Sequence, residues 1–254
     1  MRIASWNVNS LKVRLPQVLA WLDSAQPDVL GLQETKLTDE NFPVSAFTDA
    51  GWHVTYSGQK TYNGVALVTR TPATDVLTEL AGADDPSRRL IAATVDGVRI
   101  YNLYVPNGKA VDSDKYVYKL DWLAHLHNQL TAELDQYTDL VAIGDYNIAP
   151  SDADVHDPVA WAGSIHCSTP ERDALGSLEA LGLRDTFRLF DQPESAFSWW
   201  DYRAAGFRRN LGLRIDLILA SAKLAERCTG SRIDVEPRRN ERPSDHAPVI
   251  ADFA

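Results

Sequence analysis

Asp145 and Asn147 stand two residues apart, just past the apolar run Leu140–Ile143 and separated from it by Gly144. A short run rich in β-branched residues reads as a strand buried on both faces. If the strand's alternation continues, both side chains emerge on one face at its carboxyl end. That is where ligands gather in α/β proteins. A carboxylate beside an amide on a rigid strand suits holding a water or a metal-bound phosphate. The same pair also suits an ordinary Asp/Asn turn. Four further polar signals stand at the ends of apolar runs. Asn7 and Asn9 close the first, Glu34 closes the second, Asp216 follows Arg214, and Asp245-His246 precedes the last. Each alone is commonly a turn or cap residue. Joined, they make a set rich in oxygen ligands, with one histidine and no thiolate. Such a set suits a hard cation, Mg²⁺ or Mn²⁺, rather than zinc.

The elements that must position these groups follow from the apolar pattern. Arg2–Val8, Val29–Gln33, Trp52–Ser57, Gly64–Thr69, Arg214–Ser221 and Pro248–Phe253 read as strands. Leu90–Val95 and Val98–Val105 make a hairpin, since Asp96-Gly97 between β-rich runs is a strong turn signal. Leu15, Val18, Leu19 and Leu22 predict a helix over Arg14–Ala25, and Leu123, Leu126, Leu130 and Leu134 predict a long one over Lys115–Gln136. Ser151–Cys167 reads as irregular. Ser168-Thr169-Pro170-Glu171 is a capping box that opens another helix, with Gly182 beyond its last apolar residues. Each half gives strands, a helix, then strands, and no Gly/Ser/Pro-rich linker divides them. The expectation is one domain over residues 1–254, an α/β fold built as a four-layered sandwich, with two packed, mostly antiparallel sheets and helices outside.

The 254 residues are 44% apolar and 24% charged, an ordinary globular composition. No apolar run approaches the roughly 18 residues of a membrane span, and the N-terminal residues lack a signal-peptide pattern. A cytoplasmic location is the expectation. Cys167 and Cys228 are too few for a disulfide framework and lack metal-site spacing. The net charge of −10 excludes an all-over basic nucleic-acid binder. Charge is nonetheless segregated. Trp199–Arg242 holds 10 Lys/Arg against 6 acids, a local +4 that leaves −14 for the remainder. Such segregation suits a polyanion groove on one face.

In order, Trp6-Asn7-Val8-Asn9-Ser10-Leu11, Gln33-Glu34-Thr35, Tyr104-Val105-Pro106-Asn107-Gly108, Gly144-Asp145-Tyr146-Asn147-Ile148-Ala149-Pro150, Arg214-Ile215-Asp216 and Ser244-Asp245-His246-Ala247-Pro248 resemble the exonuclease III family of DNA-repair nucleases. That family belongs to the endonuclease/exonuclease/phosphatase superfamily. Phe197–Arg203 with Gly206-Phe207 resembles its bacterial branch. The resemblance implies a Mg²⁺-dependent hydrolase of base excision repair, with Mn²⁺ able to substitute. Its substrate would be duplex DNA with nicks, 3′ blocks or abasic sites. It would act as a 3′–5′ exonuclease and 3′-phosphatase, with abasic-site incision as a further activity, most simply as a monomer. Glu34 would bind the metal, Asn7 or Asn9 would hold its waters or the phosphate, and Asp245 would sit near it. Asp145 would activate or orient the attacking water, and Asn147 would hold a phosphate oxygen. His246 would hydrogen-bond the scissile phosphate, oriented by Asp216, and Tyr104 would reach the same phosphate. Asn107 belongs to the DNA-binding set. Trp199, Trp200, Leu213 and Ile215 would form a pocket or wedge for a base-less sugar. Arg208, Arg209 and Arg214 would hold flanking phosphates.

His166 departs from the family's pattern. Well-studied abasic-site endonucleases carry a small residue there, in a loop close to the DNA. An imidazole would crowd a continuous strand yet admit a 3′ end or nick, weakening abasic incision and keeping 3′-end processing. The alternative is a solvent-facing loop residue without effect. Two rival functions are set aside. An inositol-phosphate or sphingomyelin phosphodiesterase of the same superfamily does not need the Arg/Trp-rich segment Trp199–Arg214. A non-catalytic DNA-binding or scaffold protein would have lost one of Glu34, Asp145, Asp216 and His246, and all four are present.

Overall fold

The computed structural model describes residues 1–83 and 85–254. Its strands, in chain order, are β1 Arg2–Asn7, β2 Val29–Gln33, β3 His53–Ser57, β4 Val65–Thr69, β5 Thr74–Leu77, β6 Leu90–Val95, β7 Val98–Tyr104, β8 Leu140–Asp145, β9 Leu183–Asp185, β10 Trp199–Trp200, β11 Gly212–Leu213, β12 Asp216–Ser221, β13 Cys228–Ile233 and β14 Val249–Phe253. The helices are α1 Leu11–Ala25, α2 Val44–Thr48, α3 Asp114–Leu134, α4 Pro158–Trp161, α5 Thr169–Ala180 and α6 Ala222–Ala225. One sheet runs β13-β14-β1-β2-β4-β3 and the other β5-β6-β7-β8-β12-β9, with β10 and β11 as a separate ribbon. Within each large sheet one neighbouring pair is parallel, β1 with β2 and β7 with β8, and the rest are antiparallel.

Strand alternation builds the layers. Ile3, Val29, Val65 and Leu67 of the first sheet meet Ile91, Ala93, Ile100, Val141 and Ile143 of the second. Their neighbours point outward: Ala4, Leu30 and Val68 pack against Val18, Trp21 and Leu22 of α1. On the far side Leu103, Leu140 and Ala142 pack against Trp122, Leu126 and Leu130 of α3 and Leu175 and Leu178 of α5. The order helix, sheet, sheet, helix is the expected four-layered sandwich. Each fully buried Leu or Ile contributes about 1.5–3 kcal/mol.

One polar side chain crosses the otherwise apolar seam. Asn102 of β7 donates to the carbonyls of Leu32 (3.0 Å) and Ala66 (2.9 Å) in the facing sheet, and accepts from Gln33 Nε2 at 2.6 Å. Buried amides need such partners. They also set the register of one sheet over the other. Gly31 permits the close approach, since a Cβ there would lie 2.8 Å from Asn102 Oδ1 and 2.7 Å from Ile143 Cδ1.

Element boundaries differ from expectation where side chains redirect the backbone. α1 begins at Leu11 rather than Arg14 and carries Pro16 within it. α3 begins at Asp114, where Ser113 Oγ caps the Tyr116 N–H at 3.2 Å. The capping box at Ser168 and Glu171 forms as read. The strand expected from Arg214 starts at Asp216. The stretch Ser151–Cys167 contains α4 and a 3₁₀ turn at Asp152–Asp154. No helix among the described residues is long and apolar enough to cross a membrane.

Candidate active site

Strand ends from both sheets converge on one point. β1 ends in Asn7, Glu34 follows β2, β8 ends in Asp145, β12 opens at Asp216, and the turn before β14 carries His246. The antiparallel register sets Asp216 opposite Asp145, so two carboxylates flank one strand junction. His246 fits between them. Its Nδ1 lies 2.8 Å from Asp216 Oδ2, and its Nε2 lies 3.7 Å from Asp145 Oδ2. Ser198 Oγ accepts the Ile215 and Asp216 N–H groups, each at 3.1 Å, and so fixes the start of β12. Ser244 Oγ ties the His246 turn to β1 by donating to Asn7 O at 2.6 Å.

The electrostatics follow from burial. Removal from water pushes the Asp145 carboxyl up to about 7, with the His246 charge pulling against the rise and Asp216 adding to it. Burial disfavours the His246 imidazolium, yet Asp216 and Asp145 outweigh it and raise the group to about 10. At neutral pH His246 is therefore a cation with Nδ1–H committed to Asp216. Burial, together with Glu34 and Asp145, holds the Tyr104 phenol well above its ordinary value, so it keeps its proton. Arg89 stacks on the Tyr104 ring with its guanidinium carbon 4.8 Å from the centroid.

Glu34, Asp145 and His246 each bring a donor atom within 4.8 Å of the others. With His246 protonated, the metal-binding atoms of this set are the two carboxylates, which are hard oxygen donors. Lys36 Nζ, 2.9 Å from Glu34 Oε2, indicates that this spot accommodates positive charge. The residues therefore fit a hard metal ion. Asn7 is engaged by protein groups. Its Oδ1 accepts the Asn9 N–H (3.0 Å), and its Nδ2 bridges Glu34 Oε1 and Asp145 Oδ2, both at 2.9 Å. Asp245 is likewise occupied elsewhere, with one oxygen on Asn9 Nδ2 (2.9 Å) and the other on Trp199 Nε1 (3.0 Å).

Asn147 is near Asp145 for a different reason than strand alternation. Its φ of 51° is left-handed, and its N–H closes an Asx turn onto Asp145 Oδ1 at 2.9 Å. The turn thus makes the site. Asn107 Nδ2 reaches Asn147 Oδ1 at 3.0 Å. Asn9, Glu34 and His166 also have positive φ. Each such residue costs on the order of 1–3 kcal/mol, and strain of this kind gathers at functional sites.

His166 is not a solvent-facing loop residue. It is buried beneath the two asparagines, with Nδ1 2.6 Å from Asn147 O and Nε2 3.5 Å from Asn107 Nδ2. Burial, aided by the Lys119 charge, lowers it to about 4, so the neutral ring donates from Nδ1. Its ring stands between those of Trp161 (6.4 Å) and Trp199 (6.5 Å).

Four expected DNA contacts are corrected. Arg214 is buried and paired with Asp154 Oδ1 at 2.6 Å and Asp185 Oδ2 at 2.7 Å, so it has no charge to offer a phosphate. Leu213 and Ile215 are core residues packed with Ala149, Val155 and Cys167. Trp200 is buried too, while Trp199 stays partly open. Arg208 and Arg209 are exposed between β10 and β11, outside the carboxylate cluster. Lys36 and Arg89 were missed, although Lys36 follows Gln33-Glu34-Thr35 directly. A cavity of about 500 Å³ beside Glu34 is lined by Lys12, Lys36 and Lys60, positive charge that lies outside the basic window.

The profile of the Endonuclease/Exonuclease/phosphatase family matches residues 4–246. Exodeoxyribonuclease III of Haemophilus influenzae is 38% identical over the full length of both chains. A Neisseria 3′ phosphatase named NExo, solved with a product DNA hairpin, is 50% identical, with a TM-score of 0.99 over 100% of this chain and 99% of that one. An AP endonuclease from Archaeoglobus fulgidus is 39% identical, with a TM-score of 0.96 and the same coverage.

Proposed function

The chain belongs to the Endonuclease/Exonuclease/phosphatase family, and from that premise we propose how its site works and on which DNA. It is a DNA-repair nuclease of exonuclease III type, a hydrolase. The finer reading is a Mg²⁺-dependent enzyme, with Mn²⁺ able to substitute, that trims nucleotides and phosphates from 3′ ends and nicks in duplex DNA. It acts as a monomer with one catalytic domain over residues 1–254, and a DNA substrate implies work in the cytoplasm. The observation that carries this reading is His246, seated between Asp216 and Asp145 beside Glu34.

Chemically, water attacks a phosphorus in line with the departing oxygen. Asp145, its affinity for protons raised toward 7, takes the proton from that water. The His246 Nε2–H faces the space where a phosphate oxygen would gain charge, and Asp216 keeps the proton on Nδ1 as well. Asn147 and the Tyr104 phenol donate to the same phosphate. A metal ion at Glu34 and Asp145 would supply Lewis-acid neutralisation of that charge. Trp199 and the exposed Arg208 and Arg209 support contacts along the flanking strand.

His166, walled by Trp161 and Trp199, supports a site that accepts a strand end more readily than a continuous abasic strand. The test is Mg²⁺-dependent cleavage of two duplexes, one nicked with a 3′-phosphate and one with an internal abasic-site analogue. Fast removal of the phosphate with slow abasic incision supports the reading. Equal rates leave the nuclease and remove the 3′-end preference. Turnover of neither, with and without chelator, would sink the assignment.

A further inference from the structure

Beneath Asn107 and Asn147 lies an ion pair that the cleavage chemistry does not use. Lys119 of α3 and Glu171 in the first turn of α5 have no exposed side-chain surface. Lys119 Nζ donates to Glu171 Oε1, to Asn147 O at 2.6 Å and to Asn107 O at 3.4 Å. All three ammonium hydrogens therefore have acceptors. Glu171 is equally engaged. Its Oε1 also accepts the His166 N–H at 3.1 Å, and its Oε2 accepts the Ser168 N–H at 3.2 Å and Ser168 Oγ at 2.6 Å.

Stability is a weak reason for such a pair. A buried ion pair can often be exchanged for apolar residues at no cost, because desolvating two charges offsets their attraction. What the ammonium touches gives a better reason. Asn107 follows β7 and Asn147 follows β8, so separate segments must be brought together to grip one phosphate. Their side chains meet at 3.0 Å, but Asn147 sits at a strained, left-handed turn and needs its backbone held. One ammonium takes both backbone carbonyls at once, and His166 Nδ1 joins it on Asn147 O. Glu171 in turn holds the ammonium and ties it to the capped start of α5.

We propose that Lys119, anchored by Glu171, is a positioning residue that sets the Asn107–Asn147 pair at the spacing a terminal phosphate requires. This rests on the nuclease reading above. The pair touches neither the reacting atoms nor the carboxylate cluster, so its effect on the reaction passes through the asparagines.

The test is the double variant Lys119→Met/Glu171→Gln, which leaves no charge unpaired and keeps one carbonyl oxygen for Ser168, at the loss of the acceptor of the His166 N–H. It is expected to melt within a few degrees of the parent and to lose kcat for 3′-phosphate removal by roughly tenfold to a hundredfold. A second readout separates positioning from simple folding. With chelator present, the dissociation constants of nicked duplexes ending in 3′-phosphate and 3′-hydroxyl are compared. The parent's preference for the phosphate is expected to fall in the variant, with affinity for the hydroxyl end unchanged. Lys119→Gln/Glu171→Gln restores an N–H for the carbonyls and is expected to regain part of the preference. A folded methionine variant with kcat and phosphate preference within about twofold of the parent overturns the inference. If the methionine variant does not fold, Ser168→Ala decides. A reduced phosphate preference at unchanged Tm supports the inference, and unchanged preference with a lowered Tm overturns it. A parent that leaves 3′-phosphate intact counts against the nuclease reading instead, and the binding comparison still judges the asparagine grip.

Discussion

His246 and Asp216 are joined at 2.8 Å from Nδ1 to Oδ2, with the imidazole on one sheet's connecting turn and the carboxylate at the start of a strand in the other. Burial opposes the charge on His246, but Asp216, with Asp145, outweighs it and raises the group to about 10. Asp216→Asn is expected to lower kcat by about 10²–10³, the span of a lost donor to developing charge. It should also move the alkaline limb of the rate profile down from near 10 toward an ordinary histidine value. Stability follows the same sign. Because the folded value is raised, the pair's contribution is complete below about pH 6.5 and is lost as pH rises through about 10. Thermal unfolding of the parent from pH 6 to 10 should show that decline, and the variant should not.

Glu34 and Asp145 share an amide and would share the metal, but Asp145 has the second task of taking the proton from water. Glu34→Gln is expected to raise the Mg²⁺ concentration needed for half-maximal rate, with part of the rate recovered at high Mg²⁺. Asp145→Asn should lower kcat by about 10²–10⁴ at every metal concentration while duplex affinity is kept. A Mg²⁺ titration of both variants separates them. Identical curves would mean that one role is shared.

Arg214 and Arg208 should part company in the same way. Arg214→Met leaves Asp185 buried without its partner and Asp154 with Arg188 alone, which costs about 3–5 kcal/mol in denaturant unfolding. Arg208→Ala should leave unfolding unchanged and reduce the salt slope of DNA binding by about 0.9. A stability loss in Arg208→Ala, or an altered salt slope in a folded Arg214 variant, would reverse these assignments.

His166→Gly is expected to raise the ratio of abasic-site incision to 3′-phosphate removal by about tenfold or more, a change of about 1.4 kcal/mol between barriers. Glycine accepts the φ of 71° at this position. The histidine also carries an acid signature. Its folded value is lowered to about 4, so the unfolded chain takes the proton more readily and stability falls as pH drops from about 6.5 toward 4. The glycine variant should lose that acid sensitivity in an unfolding series.

Much of the fold and of the site could be read from the sequence. Buried strands such as Leu140–Ile143 announce themselves by apolar runs, and the Ser168–Glu171 box fixes the start of α5. β5 could not be found that way, because its first three residues are exposed and carry no alternation. The chain order of Asn7, Glu34, Asp145, Asp216 and His246 indicated a shared site, but order carries no distances. It could not reveal that Asn7 bridges two carboxylates, that Asp245 faces Trp199, or that Arg214 turns inward to two acids. Positive φ at Glu34 is invisible from residue type, since glutamate is not a usual left-handed residue.

The seam between the sheets, pinned by Asn102 across Gly31, gives the enzyme a safeguard. Asn7, Glu34 and His246 arrive with one sheet, and Asp145 and Asp216 with the other. Neither half alone holds an intact cutting apparatus. A chain whose two sheets have parted therefore lacks the full set of converging side chains, because the blade exists only while its two jaws are latched.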